Sequence, residues 1–309
     1  MRPPVHRILI VAAALLLSLG GTPATSPATS PASPTPPPPP PAPGTTVVSL
    51  TFDDGQATHF EAAALMQDRG MVGTFYISSS LVGSGPYYMQ WWQLDKIARA
   101  GNEIGGHTRD HVNLENLDAA AVRAEVCDDR AALIAEGFTV TSFAYPESGV
   151  SPTAQQILRE CGYTSGRAVG RIHNPDCPAC PFAETLPPAD PTYVRTVDGI
   201  TSRTTLKDLQ DAVTNAQTHG GGWVVYAFHA ICDESCTGPN TVSTALFTGF
   251  LDWLAARTSE GVVVRTVGQA MTIGAAPPPG DATVPPCAPG VSGCPGGRAG
   301  RRRRGSVLR

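Results

Sequence analysis

Three short stretches of the chain carry side chains able to do chemistry together. Asp53-Asp54-Gly55 follows the apolar run 47–52, His107-Thr108-Arg109-Asp110-His111 comes later, and His229 ends the apolar run from Trp223 to Phe228. Imidazole nitrogen and carboxylate oxygen are the ligands of a hard-to-borderline divalent metal such as Zn²⁺, whose catalytic sites keep one position open for water. His107 and His111 stand four apart, the spacing at which a helical turn presents both on one side. One aspartate would complete a two-histidine, one-carboxylate set. Such a metal lowers the pKa of water and polarises a carbonyl, and the second aspartate, left unbound, could take the water's proton. A zinc-protease reading fails, because glutamate must follow the first histidine and Thr108 stands there. Taken singly, Asp-Asp-Gly is an ordinary strand exit and two histidines four apart an ordinary surface pair. Their joint placement is the signal.

The elements that must position these residues alternate in type. Strand-like runs cover 47–52, 72–77, 103–106, 141–145, 163–165, 193–197, 223–228 and 262–267. Between them, helical patterns cover 58–68, the stretch around Trp91 to Ala98, 118–135, 152–160, 206–218 and 242–256. Strands alternating with helices predict a parallel sheet, and this many favour a closed or nearly closed α/β barrel. Asp53, Asp54, His107, Pro146 and His229 would then each lie just past the C-terminal end of a strand, the face on which such barrels build active sites.

Composition bounds the rest. Residues 1–25 read as a signal peptide, with Arg2 and Arg7 before an apolar stretch. Residues 26–45 form a Pro/Thr/Ser-rich linker, and 275–309 a Pro/Gly/Arg-rich tail ending near Arg301-Arg302-Arg303-Arg304. One domain, 46–274, remains. Setting aside the terminal arginines and Asp281 leaves 14 basic and 25 acidic residues, a net of −11 that argues against nucleic acid as a partner. A secreted or cell-wall-associated monomer with no stable membrane span is expected. All eight cysteines, Cys127, Cys161, Cys177, Cys180, Cys232, Cys236, Cys287 and Cys294, lie beyond the leader, which reads as a disulfide framework. Local pairing is expected for 177–180, 232–236 and 287–294, with 127–161 as a long staple. A four-thiolate zinc site from Cys177, Cys180, Cys232 and Cys236 is the alternative.

Thr51-Phe52-Asp53-Asp54-Gly55, His107-Thr108-x-x-His111 and the late strand ending in His229 resemble the polysaccharide deacetylase family. It is also called the NodB-homology domain or carbohydrate esterase family 4. The resemblance spans about 48 to 268 and implies a distorted (β/α)7-8 barrel. It implies a hydrolase that uses a divalent metal, Zn²⁺ or Co²⁺, to remove acetyl groups from chitin-like or peptidoglycan N-acetylglucosamine. Ester deacetylation, as on acetylxylan, and a glycan-binding homologue with impaired turnover are the alternatives. Carried over, Asp53 is the general base, Asp54, His107 and His111 hold the metal, and His229 is the general acid, with Tyr226 replacing the usual leucine. The third motif departs. Where the family has Arg-x-Pro-Tyr-Gly, this chain has Ala144-Tyr145-Pro146-Glu147-Ser148-Gly149. The backbone N–H of Glu147 would be the oxyanion donor, and Arg167 or Arg195 must replace the arginine that orients the base. The fourth motif, an aspartate with a nearby tryptophan, has no recognisable counterpart; Asp198 is the nearest acid. Tyr87, Tyr88, Trp91 and Trp92 could offer a sugar platform, with Trp91 better suited to a helix core.

Overall fold

The computed structural model describes residues 44–233 and 238–274. The expected signal peptide, most of the linker and the whole tail lie outside the described residues.

The chain runs β1 (Thr46–Phe52), α1 (His59–Gln67), β2 (Thr74–Ile77), α2 (Trp91–Arg99) and β3 (Glu103–Gly106). A helix follows in three pieces, α3 (Ala119–Arg123), a π-helical turn (Ala124–Asp128) and α4 (Asp129–Ala135). Next come β4 (Ser142–Ala144), α5 (Pro152–Glu160), β5 (Ser165–Arg171), β6 (Val194–Thr196), α6 (Leu206–Thr218) and β7 (Gly222–Phe228). The small pair β8 (Ala230–Ile231) and β9 (Thr241–Val242), α7 (Thr244–Ala256), β10 (Val262–Val264) and α8 (Val267–Met271) complete it.

β1 organises the sheet. Thr-Val-Val-Ser-Leu-Thr-Phe is buried at every position, as a strand covered on both faces must be. It pairs in parallel with the whole of β7 on one edge, and with β10 below and β2 above on the other. β2 to β6 continue in sequence order, all parallel. Val197 N–H donates to the Val225 carbonyl at 2.9 Å, bringing the segment after β6 back to β7. The result is the strongly curled α/β barrel expected. Val48, Leu50 and Phe52 face the helices, while Val47 joins Tyr76, Ala144, Trp223 and Val225 in a second apolar cluster. Val267 and Ala270 of α8 belong to that inner cluster, and Val267 N–H and Gly268 N–H donate to Thr74 Oγ1 and Glu103. Helix starts are capped as the sequence allows, by Asp118 on α3, Ser151 on α5, Thr205 on α6 and Ser243 on α7.

Among the boundaries that differ from expectation, two stand out. The last long strand stops at Val264, and 267–271 is helical, because Thr266 caps that turn with Gln269. The strand expected at 163–165 instead covers 165–171. Its sequence, Ser-Gly-Arg-Ala-Val-Gly-Arg, has too few large apolar residues to announce a strand, and packing on both edges makes it one.

Cys127–Cys161 and Cys177–Cys180 are disulfides, as expected, which removes the four-thiolate zinc alternative. Cys232 is also disulfide-bonded, whereas Cys236, Cys287 and Cys294 lie outside the described residues. The 127–161 bridge ties the π-turn to the end of α5 across 34 residues. By loop-closure entropy, replacing both cysteines with serine is expected to cost about 4 kcal/mol. Urea unfolding of the double variant checks this; an unchanged midpoint and slope would refute it.

Candidate active site and metal centre

The alternation of β1 would send Asp53 and Asp54 to opposite faces of the sheet. Asp54 breaks it by taking φ +73°, a region a non-glycine residue enters only when its surroundings hold it there. Asp53 continues inward and is 3% exposed, with its N–H bonded to the Phe228 carbonyl of β7 at 2.9 Å. Asp54 turns instead toward the histidines.

Asp54 Oδ1 lies 3.4 Å from His107 Nε2 and 3.0 Å from His111 Nε2. One ligand atom from each of the three lies within 4.8 Å of the others, the spacing of a metal cluster. The tautomer fits. His107 Nδ1 is 2.8 Å from the Ala144 carbonyl, which can only accept, so Nδ1 carries the hydrogen and Nε2 keeps its lone pair. Asp54 Oδ1 is buried without a hydrogen-bond partner among the described residues, the orphaned acceptor that a cation would satisfy. Gln56 holds the other oxygen at 3.0 Å. Although burial raises it, the two histidines hold the Asp54 carboxyl far below the usual range. His111 is pushed up, chiefly by Asp54.

The histidines do not share a helical turn. Residues 107–111 form an irregular loop, and Thr108 and His111 sit at φ +61° and +56°. Backbone clamps hold this loop. Arg109 N–H and Asp110 N–H donate to the carbonyl and side chain of Glu125 at 2.9 and 3.0 Å. His107 N–H reaches Asp129 Oδ2 at 3.1 Å, and Asp129 Oδ1 accepts from Ser79 N–H at 2.9 Å. Asp129 is fully buried, and burial pushes it up to about 6 against those bonds. A side chain at Gly106 would overlap Tyr163 Oη and Asp129, so only glycine lets β3 pass this close. Asp129 was not anticipated, although its place on the apolar stripe of Val122, Val126 and Leu133 signals it.

Arg167 is the partner of Asp53. It is 1% exposed, its Nη2 donates to Asp53 Oδ1, and its guanidinium lies over the Tyr76 ring at 5.0 Å. In the β4–β5 register, Arg167 is the Cα partner of Ala144. The guanidinium missing at 144 is therefore supplied one strand along. Burial raises Asp53, but Arg167, His107 and His229 outweigh it and hold the carboxyl below its usual value. Arg195 is not involved, contrary to its candidacy; it pairs with buried Glu184 at 3.0 Å.

His229 leaves β7 with Nε2 4.0 Å from Asp53 Oδ2, and its Nδ1 is buried without a partner among the described residues. Asp198 makes no ion pair with it in the described structure. Glu147 and Ser148 stand at φ +52° and +56°, pinned by Asn113 Nδ2 to Glu147 Oε2 at 3.3 Å and Val169 N–H to Ser148 Oγ at 2.9 Å. Tyr87 and Trp92 are exposed, while Trp91 is partly buried against the core as expected. A second unanticipated residue, His59, is fully buried beneath this site, and burial pushes it down to about 4.

Comparison with known proteins agrees with the motifs. Residues 41–166 match the family model described as polysaccharide deacetylase. A chitin deacetylase of Pestalotiopsis sp is 29% identical over 117 residues, 37% of this chain and 39% of that one. A protein of Arthroderma benhamiae named "Probable peptidoglycan-N-acetylglucosamine deacetylase" is 28% identical over 119 residues, 38% of this chain and 27% of that one. The matches thus span less than half the length of these relatives. Among solved structures, a family 4 acetyl xylan esterase from Clostridium thermocellum, in complex with a cobalt ion, has a TM-score of 0.49 at 20% identity. It covers 74% of this chain and 91% of that one.

His107→Ala is expected to abolish binding of Co²⁺ or Zn²⁺ in calorimetry, and Asp53→Asn to retain it. Asp129→Ala should weaken binding about 10- to 100-fold, as loss of a group that orients a ligand does. Equal affinity in all three variants would exclude the triad.

Proposed function

We propose that the chain is a secreted, metal-dependent polysaccharide deacetylase acting on N-acetylglucosamine-containing glycan, chitin-like or peptidoglycan. One observation carries the reading: Asp53, paired with Arg167 and facing His229, lies beside the convergent Asp54, His107 and His111. The family match and the names of the relatives support the substrate class. The leader-like first 25 residues and the disulfides, Cys127–Cys161 and Cys177–Cys180 among them, support export.

Asp54, His107 and His111 would hold the divalent cation, Zn²⁺ or Co²⁺. When bound, it acidifies water and polarises the acetyl carbonyl. Asp53 takes the proton of the attacking water, and Arg167 keeps it ionised and aimed. The turn at Glu147 offers its backbone N–H to the developing oxyanion. His229 donates a proton to the sugar nitrogen as the C–N bond breaks. Acetate and a glucosamine unit leave. The impaired-homologue reading loses its main support, because the base has a guanidinium partner despite Ala144.

Acetate release from acetylated chitooligosaccharide, peptidoglycan and acetylxylan, before and after chelation with Zn²⁺ or Co²⁺ restored, tests the reading. Amide substrates should be cleaved in a chelator-sensitive way. Release from acetylxylan alone would move the assignment to an esterase, and no release from any would end it. Arg167→Ala is expected to lower kcat about 100-fold or more with metal affinity kept, since a displaced catalytic group costs about that much. Wild-type kcat in that variant would exclude Arg167 as the partner of the base.

A further inference from the structure

We infer that His59 is a positioning residue for His229, holding the acid's main chain over Asp53 through the His229 carbonyl; this rests on the deacetylase reading above. His59 opens α1 and is fully buried, with its ring centroid 5.4 Å from that of Phe52 and 6.2 Å from that of Phe75. Its Nε2 lies 2.7 Å from the His229 carbonyl oxygen. A carbonyl only accepts, so Nε2 carries the hydrogen and donates. Nδ1 of a neutral ring is then an acceptor, and it is buried with no hydrogen-bond partner among the described residues. An unmatched acceptor among aromatic rings is unfavourable. Phenylalanine would fill similar space without that defect, so packing does not explain a histidine here. The bond to His229 does.

His229 needs such a hold. Its Nδ1 has no partner among the described residues, and no carboxylate there grips the ring from behind; Asp53 lies 4.0 Å from Nε2 on the other side. The exit of β7 is tied to the exit of β1 and the start of α1 at three points: Asp53 N–H to Phe228 O at 2.9 Å, His59 to His229 O, and Ile231 N–H to Thr58 Oγ1 at 3.4 Å. Only the His59 bond is made to residue 229 itself. That carbonyl lies in the peptide plane joining His229 to Ala230, so the bond fixes the main chain immediately after the His229 Cα, and a shift of that Cα would carry the Cα–Cβ bond away from the pocket. Proton donation to a leaving nitrogen tolerates little of that displacement.

The experiment compares His59→Phe, His59→Gln and His229→Ala in the full chain loaded with Zn²⁺, scored by kcat, KM, Co²⁺ affinity and melting temperature. Glutamine places an amide N–H near the position of the imidazole Nε2. His59→Phe is expected to keep its melting temperature, Co²⁺ affinity and KM while losing at least tenfold in kcat, and His59→Gln to recover most of that loss. Wild-type kcat in His59→Phe would overturn the inference, as would equal losses in both variants tracking melting temperature or Co²⁺ affinity. If His59→Phe does not fold, His59→Asn, whose shorter amide falls short of the carbonyl, is compared with His59→Gln. A tenfold gap then supports the role, and equal kcat overturns it. His229→Ala separates the two readings. Full activity there would refute His229 as the acid, whereas inactivity beside a fully active His59→Phe would remove only the role of His59.

Discussion

The arrangement depends on one buried charge pair, Asp53 with Arg167. A carboxylate almost wholly out of water would take up a proton and could then no longer accept one. The guanidinium from β5 prevents this, and it is itself buried, with Nε and Nη1 lacking hydrogen-bond partners among the described residues. A buried ion pair so incompletely satisfied is a poor way to stabilise a fold, since apolar residues of similar volume often serve as well or better. Its retention is better explained by what it does to Asp53. The register makes it possible, because the small side chain of Ala144 leaves room in the barrel beside Arg167.

Around that pair, the strand ends provide convergence and a few strained residues provide aim. β1, β3, β4 and β7 stop just before Asp53, His107, Tyr145 and His229, so parallel pairing alone brings these segments to one face. Extended chain could not then point both aspartates into the same space. Five non-glycine residues in left-handed conformation, Asp54, Thr108, His111, Glu147 and Ser148, lie at these exits. Such conformations are unfavourable singly and persist only where surrounding bonds fix them. The bonds from Glu125, Asp129, Asn113 and Val169 supply that restraint.

The barrel and the candidate metal triad were legible in the sequence because each leaves a local trace. Continuous apolar runs mark β1 and β7, and the motifs at 53–55 and 107–111 sit at run ends. What was not legible is contact made across strands or along a buried helix face. Arg167 stood as one of two candidates, and nothing local separates it from Arg195, because the choice is made by the β4–β5 register. The irregular path from His107 to His111 is set by clamps from a helix 15 to 22 residues away, which spacing alone cannot reveal. Asp129 and His59 did leave a trace, a polar residue on an otherwise buried stripe. That pattern reads equally as a defect until its partner is known.

The supports of the site fall into two sets that share few members. The side of the candidate metal ligands hangs on β2, β3 and the helix α3–α4, where Asp129 receives Ser79 and His107 and Glu125 receives Arg109 and Asp110. The Cys127–Cys161 bridge anchors the π-turn between those two acids to α5. The side of the proposed base and acid hangs on β1, β5 and β7, through Arg167, the β1–β7 ladder and the bonds around His229. Asp53-Asp54 is the covalent joint between them. A change in either set therefore reaches the other mainly through one peptide bond and the fields of a few charges. Metal affinity and proton transfer can vary separately on such a scaffold, and a guanidinium can move from one strand to the next without disturbing the triad.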